Sequence, residues 1–108
     1  MTDRHVRVIV DRKMGTYHPK HEKLYYPINY GYIEGVFAPD GEEQDAYIIG
    51  VDSAIDNFEG EIIAIIRRKN DAEDKLVVAP EGSSFTKEEI KKLTNFQEQF
   101  FDTEIEML

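Results

Sequence analysis

The sequence predicts a mainly β domain in which about five short strands form a small barrel-like sheet that a C-terminal helix covers. Segments rich in β-branched and aromatic residues alternate with turn signals over most of the chain. The one marked helix start is Thr86-Lys-Glu-Glu89, a capping-box sequence near the C-terminus. With 108 residues, the chain is long enough for one hydrophobic core and too short for two. We therefore expect a single domain that spans residues 1–108.

The strands are expected between turns and glycine breaks. Residues 11–15 indicate a turn after the first strand and so an opening hairpin, and the polar residues 16–24 predict a loop or an irregular edge. Gly31 and Gly35 interrupt the second strand region, and the apolar residues 62–66 indicate a strand buried on both faces. The predicted strands cover residues 6–10, 25–37, 46–51, 61–67 and 75–80, the last of which is expected to end the sheet.

The helix is expected to begin after Thr86. Phe85 before the cap and Ile90 after it are placed for a hydrophobic staple. Apolar residues then recur at intervals of three to five positions, which predicts one helical stripe that packs on the sheet. These residues are Ile90, Leu93, Phe96, Phe100 and Ile105.

Composition narrows the classes of function. A net charge of -9, with 22 acidic against 13 basic residues, disfavours nucleic acid as a partner because binding its phosphates depends on Lys and Arg. The absence of cysteine excludes disulfides, thiolate zinc sites and cysteine nucleophiles. The apolar runs are too short to span a bilayer, and residues 1–5 have no apolar signal core. We expect a cytoplasmic protein that binds cations and does not associate with membranes.

Two acidic segments lie at strand ends on either side of a predicted hairpin. The first contains Asp40, Glu42 and Asp45, and the second contains Asp71 and Asp74. Each segment alone is typical of a solvated turn, but one fold can bring both to the same mouth of a barrel. There, mutual repulsion would raise the pKa values of the carboxyl groups unless a cation neutralised them. Carboxylate oxygens are hard ligands, which select Mg²⁺, Mn²⁺ or Ca²⁺.

The first acidic segment does not fit an EF-hand. Gln44 takes the fifth loop position and Val51 takes the place of the final glutamate, so the ligands have to converge through the tertiary fold. Mg²⁺ commonly shares its coordination with substrate phosphates, and the cation Lys75 directly follows the second acidic segment. This combination indicates phosphoryl chemistry.

Other chemistries have weaker support in the sequence. His5, His18 and His21 lack a zinc-ligand spacing and are expected at the surface or in loops. No phosphate-cradling glycine motif and no nucleophile elbow is present. Tyr25 and Tyr32 are interpreted as core and strand residues whose hydroxyls find partners at the sheet edge.

The run Tyr26-Pro-Ile-Asn-Tyr30-Gly-Tyr32-Ile, followed by Asp40-Gly-Glu42-Glu-Gln-Asp45, resembles the soluble family I inorganic pyrophosphatases. The resemblance covers residues 26–80, with a plausible match for the first strand and the final helix. It implies a five-stranded barrel of the oligonucleotide-binding (OB) type with helices packed outside. It also implies hydrolysis of pyrophosphate to two phosphates by a metal-activated water, with Mg²⁺ as the cofactor and Mn²⁺ as a possible alternative. Assembly as a homo-oligomer is a further implication.

The resemblance also implies a role for each matching residue. The metal ligands would be Asp40, Asp45, Asp71 and Asp74, of which Asp45 would bridge two ions. Glu42 would accept the proton of the attacking water. The catalytic group would be Glu42, Asp45, Tyr30 and Lys75. The residues that contact the substrate phosphates would be Arg7, Lys20, Tyr26, Tyr30 and Lys75, with His18 as an alternative to Lys20.

Several positions depart from the family pattern. Ile9 stands where the family has a metal-linked glutamate, and Phe100 and Phe101 replace a tyrosine and lysine pair. Three readings follow: a pyrophosphatase, a related phosphohydrolase of another phosphate ester, or a weakly catalytic or non-catalytic protein that binds metal or phosphate. The first is preferred because a pure scaffold gives little reason for four residues to coexist, namely Asp40, Asp45, Asp74 and Lys75.

Overall fold

The computed structural model describes residues 4–69 and 73–108, which form eight strands and one helix. In chain order these are β1 (His5–Arg12), β2 (Thr16–Tyr17), β3 (Tyr25–Tyr26), β4 (Asn29–Phe37), β5 (Glu43–Ile48), β6 (Asn57–Arg68), β7 (Asp74–Ala79), α1 (Lys87–Glu98) and β8 (Thr103–Met107). No helix within these ranges is long and apolar enough to cross a membrane.

Five strands close into a barrel in the order β1-β4-β5-β7-β6, and the pairing of β1 with β6 completes the ring. β5 and β7 run parallel, whereas the other barrel pairs are antiparallel. Closure leaves β1 and β4 no free edge inside the ring, which is how small barrels avoid exposed strand edges. The predicted mainly β fold with a five-stranded OB-like barrel and a C-terminal helix is confirmed.

Alternation along the strands divides the buried residues into two clusters. Inside the barrel lie Val8, Ile33, Ala46, Ile48 and Val78, all at most 1% exposed. On the outer face, residues of β5 and β7 pack beneath the helix and β8. This outer cluster includes Tyr47, Ile49, Val77, Ala79, Ile90 and Ile105. The barrel therefore carries a second core on one of its outer sides.

The prediction of an opening hairpin is wrong. β1 is paired on one side with β4 and on the other with β6, so neither of its edges is available to β2. β2 pairs instead with β3 in a separate two-stranded sheet, where the rings of Tyr17 and Tyr25 make an edge contact at 5.2 Å. Residues 18–24 form the loop between these two short strands, and a backbone hydrogen bond from His18 N to Leu24 O, 2.9 Å long, closes it.

The sequence suggested that Gly31 breaks its strand region, but Gly31 lies within β4. It pairs with Val10 of β1, and a Cβ atom at this position would lie 1.9 Å from the carbonyl oxygen of Ile9. Only glycine allows the two backbones to approach this closely. Gly31 is therefore required for the pairing of β1 with β4.

The capping box at the start of α1 is present as predicted. Glu89 N donates to Thr86 Oγ1 at 3.1 Å, and Thr86 N donates to Glu89 Oε1 at 2.9 Å. The predicted apolar stripe, however, is wrong at its end, because the helix stops at Glu98. Phe100 is 70% exposed beyond the helix, and Ile105 is buried on β8.

β8 was not predicted, and residues 75–80 are not the last strand. Thr-Glu-Ile-Glu-Met alternates polar and apolar residues with a period of two, the strand pattern. β8 pairs with β6 so that Ile105 stands opposite Ile66 and joins the core beneath the helix. The interval of five residues between Phe100 and Ile105 fits neither of the helical spacings, which is why the helix interpretation fails there.

A buried ion pair fastens the end of α1 to the barrel. Arg68 of β6 donates to Glu98 through Nε at 3.0 Å and through Nη2 at 2.6 Å, and both side chains are only 5% exposed. Tyr47 of β5 donates its hydroxyl hydrogen to the same carboxylate. Burial raises the pKa of Tyr47 well above its usual value, and the charge of Glu98 raises it further. The ring of Phe101 covers the guanidinium group at 3.7 Å.

We predict that Gly31→Ala lowers the free energy of unfolding by about 3 kcal/mol or more, because the backbones of β1 and β4 have to separate. Gly35→Ala is the matched control: Gly35 has a φ of +79° but open space around it, so the loss should be about 1 kcal/mol. Urea denaturation measures both. Equal losses in the two variants would contradict the close-approach explanation.

We also predict that Arg68→Met destabilises the protein by about 3 kcal/mol, because it leaves the Glu98 carboxylate buried without its cation. Arg67→Met removes an exposed arginine of the same strand, whose side chain is 46% exposed, and should destabilise the protein far less. The double variant Arg68→Met/Glu98→Gln should recover most of the loss in thermal or urea melts. A double variant no more stable than Arg68→Met would show that packing, not charge, is responsible.

Candidate active site

An acidic cavity of about 440 Å³ opens where the end of β1, the β4–β5 connection and the start of β7 meet. Seven carboxylate side chains line it together with a single lysine among the described lining residues. The carboxylates are Asp11, Asp40, Glu42, Glu43, Asp45, Glu73 and Asp74, and the lysine is Lys75. The sequence prediction that the two acidic segments reach the same mouth of the barrel is therefore met for every member that the structure describes. Asp71 lies outside the described residues.

A tight turn positions Asp40 and Glu42 at the mouth of the cavity. Ala38 N donates to Glu42 O at 2.8 Å, and Gly41 N donates to Ala38 O at 3.0 Å. Asp40 Oδ1 accepts from Glu42 N at 3.0 Å, the side-chain to backbone contact that aspartate commonly makes in turns. Gly41 takes a φ of +87°, in the left-handed region that glycine tolerates. Both carboxylates therefore project from a fixed backbone into solvent at the cavity.

Lys75 contacts two of the carboxylates that line the acidic cavity. Its Nζ lies 2.6 Å from Asp45 Oδ2 and 3.0 Å from Glu73 Oε2, and its side chain is only 4% exposed. The parallel pairing of β5 with β7 places Asp45 and Lys75 on neighbouring strands. The contact with Glu73 was not predicted, although this residue belongs to the acidic segment that the sequence singles out. Lys75 thus offsets the repulsion between two of the carboxylates.

Asp74 lines the cavity and also pairs with an arginine that no sequence motif indicated. Asp74 Oδ2 lies 3.1 Å from Arg67 Nη1, because Arg67 stands opposite Asp74 in the β6–β7 ladder. Arg67 also contacts Glu106 of β8 at 3.3 Å. The backbone carbonyl of Asp74 accepts from Gln44 Nε2 at 2.6 Å, which joins the two acidic segments.

Tyr30 lies between the acidic cavity and the core beneath the helix. Burial raises the pKa of its hydroxyl well above the usual value, and the charge of Asp45 and a hydrogen bond with it act in the same direction. The raised pKa favours the protonated hydroxyl, which can donate a hydrogen bond. The ring lies 5.0 Å from that of Tyr47 and 5.8 Å from that of Tyr26. Lys75 Nζ is 6.0 Å from its centroid.

Tyr26 is buried and therefore not accessible for direct contact with a phosphate group. It is 1% exposed, and its hydroxyl donates to Gln97 Oε1 of the helix at 3.1 Å. Burial raises its pKa, whereas the charge of Arg12 and a hydrogen bond with it act in the opposite direction. Tyr26 is not among the side chains that line the acidic cavity.

The remaining residues implied by the resemblance are not brought to the acidic cavity. Arg7 is exposed on β1 opposite Glu59 of β6. Lys20 lies in the exposed loop after β2, where its backbone N–H donates to His18 Nδ1 at 3.0 Å. His18 lines a neighbouring cavity instead. The structure thus concentrates the predicted site on Asp40, Glu42, Asp45, Asp74 and Lys75, with Tyr30 beside it.

Asp11 and Arg12 lie in this region, although the sequence indicates a turn for residues 11–15. Asp11 lines the acidic cavity, and burial raises the pKa of its carboxyl group. Arg12 Nη1 lies 3.9 Å from Asp11 Oδ2. Their position depends on a register shift in the β1–β4 ladder between Val10 and Arg12, which no sequence pattern indicates. An Asp-Arg pair directly after an alternating strand is the only signal that could have drawn attention to them.

The donor set suits a hard divalent cation, since all seven acidic groups offer oxygen ligands. Among residues 4–69 and 73–108, no group of three His, Cys, Asp or Glu side chains is close enough together to hold a metal ion. Asp45 and Glu73 are engaged with the ammonium group of Lys75, and Asp74 is engaged with Arg67. Binding of a metal ion would therefore require some of these ion pairs to open.

No protein family model matches the sequence, and no curated protein is significantly similar to it in sequence. Solved structures of inorganic pyrophosphatases nevertheless superpose on the chain. The enzyme from Ehrlichia chaffeensis does so with a TM-score of 0.72 at 15% identity, over 99% of this chain and 88% of that one. The one from Neisseria gonorrhoeae gives 0.65 at 16% identity, over 86% and 71%.

A third comparison agrees: the inorganic pyrophosphatase from Thermus thermophilus gives a TM-score of 0.63 at 13% identity, over 95% of this chain and 80% of that one. At such identities the likeness concerns the fold, and it extends over nearly the whole chain. The resemblance that the tyrosine and carboxylate motifs suggested is confirmed at this level. The chain therefore has a distant version of the bacterial inorganic pyrophosphatase fold, of the family I type.

Proposed function

We propose that the protein hydrolyses inorganic pyrophosphate to two phosphates in a Mg²⁺-dependent reaction at the acidic cavity. The observation that supports this most is the contact of Lys75 with Asp45, beside Tyr30, within a fold shared with inorganic pyrophosphatases. A cation, a carboxylate and a phenol lie close together there, and such groups can bind phosphate and help to activate water.

The charge of the cavity supports a requirement for metal. Pyrophosphate is an anion, and seven carboxylates around a single described lysine would repel it from the metal-free protein. Asp40, Asp45, Asp74 and, by the resemblance, Asp71 would hold Mg²⁺. When bound, Mg²⁺ supplies positive charge for the substrate oxygens and lowers the pKa of water.

The side chains of this site would divide the remaining work. Lys75 would orient one phosphate group by electrostatic attraction, and its nearly complete burial strengthens that attraction. Tyr30, whose hydroxyl remains protonated, would donate a hydrogen bond to a phosphate oxygen or hold Asp45 in position. Glu42 at the cavity mouth would accept the proton from the attacking water.

A second candidate is a protein of the same fold that binds phosphate without turnover. Ile9 favours this candidate. It lies on the outer face of β1 opposite Tyr32, which lines the acidic cavity. An isoleucine cannot serve as a metal ligand there. In this case the acidic cavity would take up Mg²⁺ and phosphate together as a bound complex.

We predict that the purified protein releases phosphate from pyrophosphate with Mg²⁺, and that Asp45→Asn lowers the rate by at least about 100-fold, because a metal ligand is lost. Asp56→Asn is the matched control. Asp56 is paired with Lys13 at 2.6 Å, the distance at which Lys75 holds Asp45, but it is exposed and outside the acidic cavity. This control should keep the parental rate in a phosphate-release assay.

The assay also separates the two candidates. Absence of turnover with Mg²⁺, Mn²⁺, Zn²⁺ and Co²⁺ would contradict the proposed hydrolysis. If phosphate then raised the melting temperature only when Mg²⁺ is present, the binding function would take its place.

We further predict that Lys75→Met destabilises the metal-free protein by about 1–2 kcal/mol, because Asp45 and Glu73 repel each other without their shared cation. Mg²⁺ should raise the melting temperature of this variant more than that of the parent protein, since the ion would replace the missing positive charge. Lys13→Met, which removes an exposed lysine, should respond to Mg²⁺ as the parent does. Equal responses of Lys75→Met and Lys13→Met would show that Mg²⁺ does not bind at Lys75.

A further inference from the structure

A second cavity, of about 330 Å³, adjoins the acidic cavity, since Lys75 lines both. We call it the aromatic cavity because Tyr30, Phe100 and Phe101 line it, together with Leu24 and His18. Its volume lies within the range typical of small-molecule sites, roughly 300–1,000 Å³. A molecule in this cavity would therefore have one end within reach of the groups that the proposed function assigns to phosphate.

Phe101 and Phe100, which line the aromatic cavity, differ in how firmly their rings are packed. Phe101 covers the guanidinium group of Arg68, which is bound to Glu98, so this ring is fixed. Phe100 follows the helix and is 70% exposed, although its backbone is anchored by a hydrogen bond to Gln97 O of 3.4 Å. An open apolar ring at the edge of a cavity is a surface that an organic group can cover.

Inorganic pyrophosphate has no apolar part that could cover the rings of Phe100 and Phe101. A monoester of pyrophosphate has both parts, namely a charged diphosphate and an organic group. Planar organic groups stack well on an exposed aromatic ring such as that of Phe100. The adjoining acidic and aromatic cavities match these two parts in order, with Lys75 at the boundary because it lines both.

We propose that the protein also accepts diphosphate monoesters that carry a planar organic group, such as a nucleoside diphosphate, with this group bound in the aromatic cavity. The proposal rests on the proposed function of the acidic cavity. Water adds to the terminal phosphorus, and the bond from that phosphorus to the bridging oxygen breaks. The electron pair leaves with the organic monophosphate, and inorganic phosphate is the other product. The proton from water passes to a carboxylate of the acidic cavity and then to solvent.

The test compares adenosine diphosphate with methyl diphosphate. Methyl diphosphate has the same ester linkage but carries a methyl group in place of the planar organic group. With Mg²⁺, kcat/KM for adenosine diphosphate should exceed that for methyl diphosphate by about tenfold or more. Phe100→Ser should lower this ratio about tenfold, mainly through KM. Tyr17→Ser is the matched control, since Tyr17 is 58% exposed and outside the aromatic cavity, and the ratio should not change.

Failure of this proposal can be told apart from failure of the proposed function. If pyrophosphate is hydrolysed but adenosine diphosphate is neither cleaved nor a better inhibitor than methyl diphosphate, the aromatic cavity does not select the substrate and only this proposal is wrong. If nothing is hydrolysed, melting temperatures with Mg²⁺ decide. A larger shift with adenosine diphosphate than with methyl diphosphate, lost in Phe100→Ser, supports the cavity assignment, and equal shifts overturn it.

Discussion

The parallel pairing of β5 with β7 is the constraint on which the rest of the molecule depends. It is the one parallel contact within the described barrel, and it joins strands that are separated in sequence by the whole of β6. Through it the β4–β5 acidic turn and the acidic segment before β7 reach the same end of the barrel. Without this pairing neither the closed ring nor the contact of Asp45 with Lys75 could form.

The same two strands connect the candidate site with the core. Along the outer face of β5, Asp45 is followed by Tyr47, and along β7 Lys75 is followed by Val77. Strand periodicity places the two residues of each pair on the same face. A charged residue at one end of each strand is therefore followed by an apolar residue beneath the helix. Tyr30 connects the two environments, because its ring packs against the core and the charge of Asp45 contributes to the raised pKa of its hydroxyl. The site is therefore supported by packed residues rather than by loops alone.

Much of this arrangement could be predicted from local patterns. The capping box at Thr86 and the run of apolar residues within 75–80 are signals of short range, and both correspond to elements of the structure. β8 could not be recognised as easily, because it is short, carries two glutamates and follows directly on a helical pattern. Its position is decided by β6, whose edge accepts it at Ile66.

The candidate site shows the same division between short-range and long-range information. Asp40, Glu42 and Asp45 lie in one turn motif and can be read from the sequence. Asp11 reaches the cavity only because β1 pairs with β4, and Arg67 reaches Asp74 only through the β6–β7 register. Such cross-strand contacts depend on which strands become neighbours, and closure of the barrel decides this.

The ammonium group of Lys75 gives the site an internal counterion. Because it already satisfies Asp45 and Glu73, the fold does not need an external ion to tolerate these carboxylates side by side. Under the proposed function, metal uptake is then an exchange of one cation for another rather than the filling of an empty cage. The displaced ammonium group remains tethered at the site, where it becomes available to an anion that arrives with or after the metal.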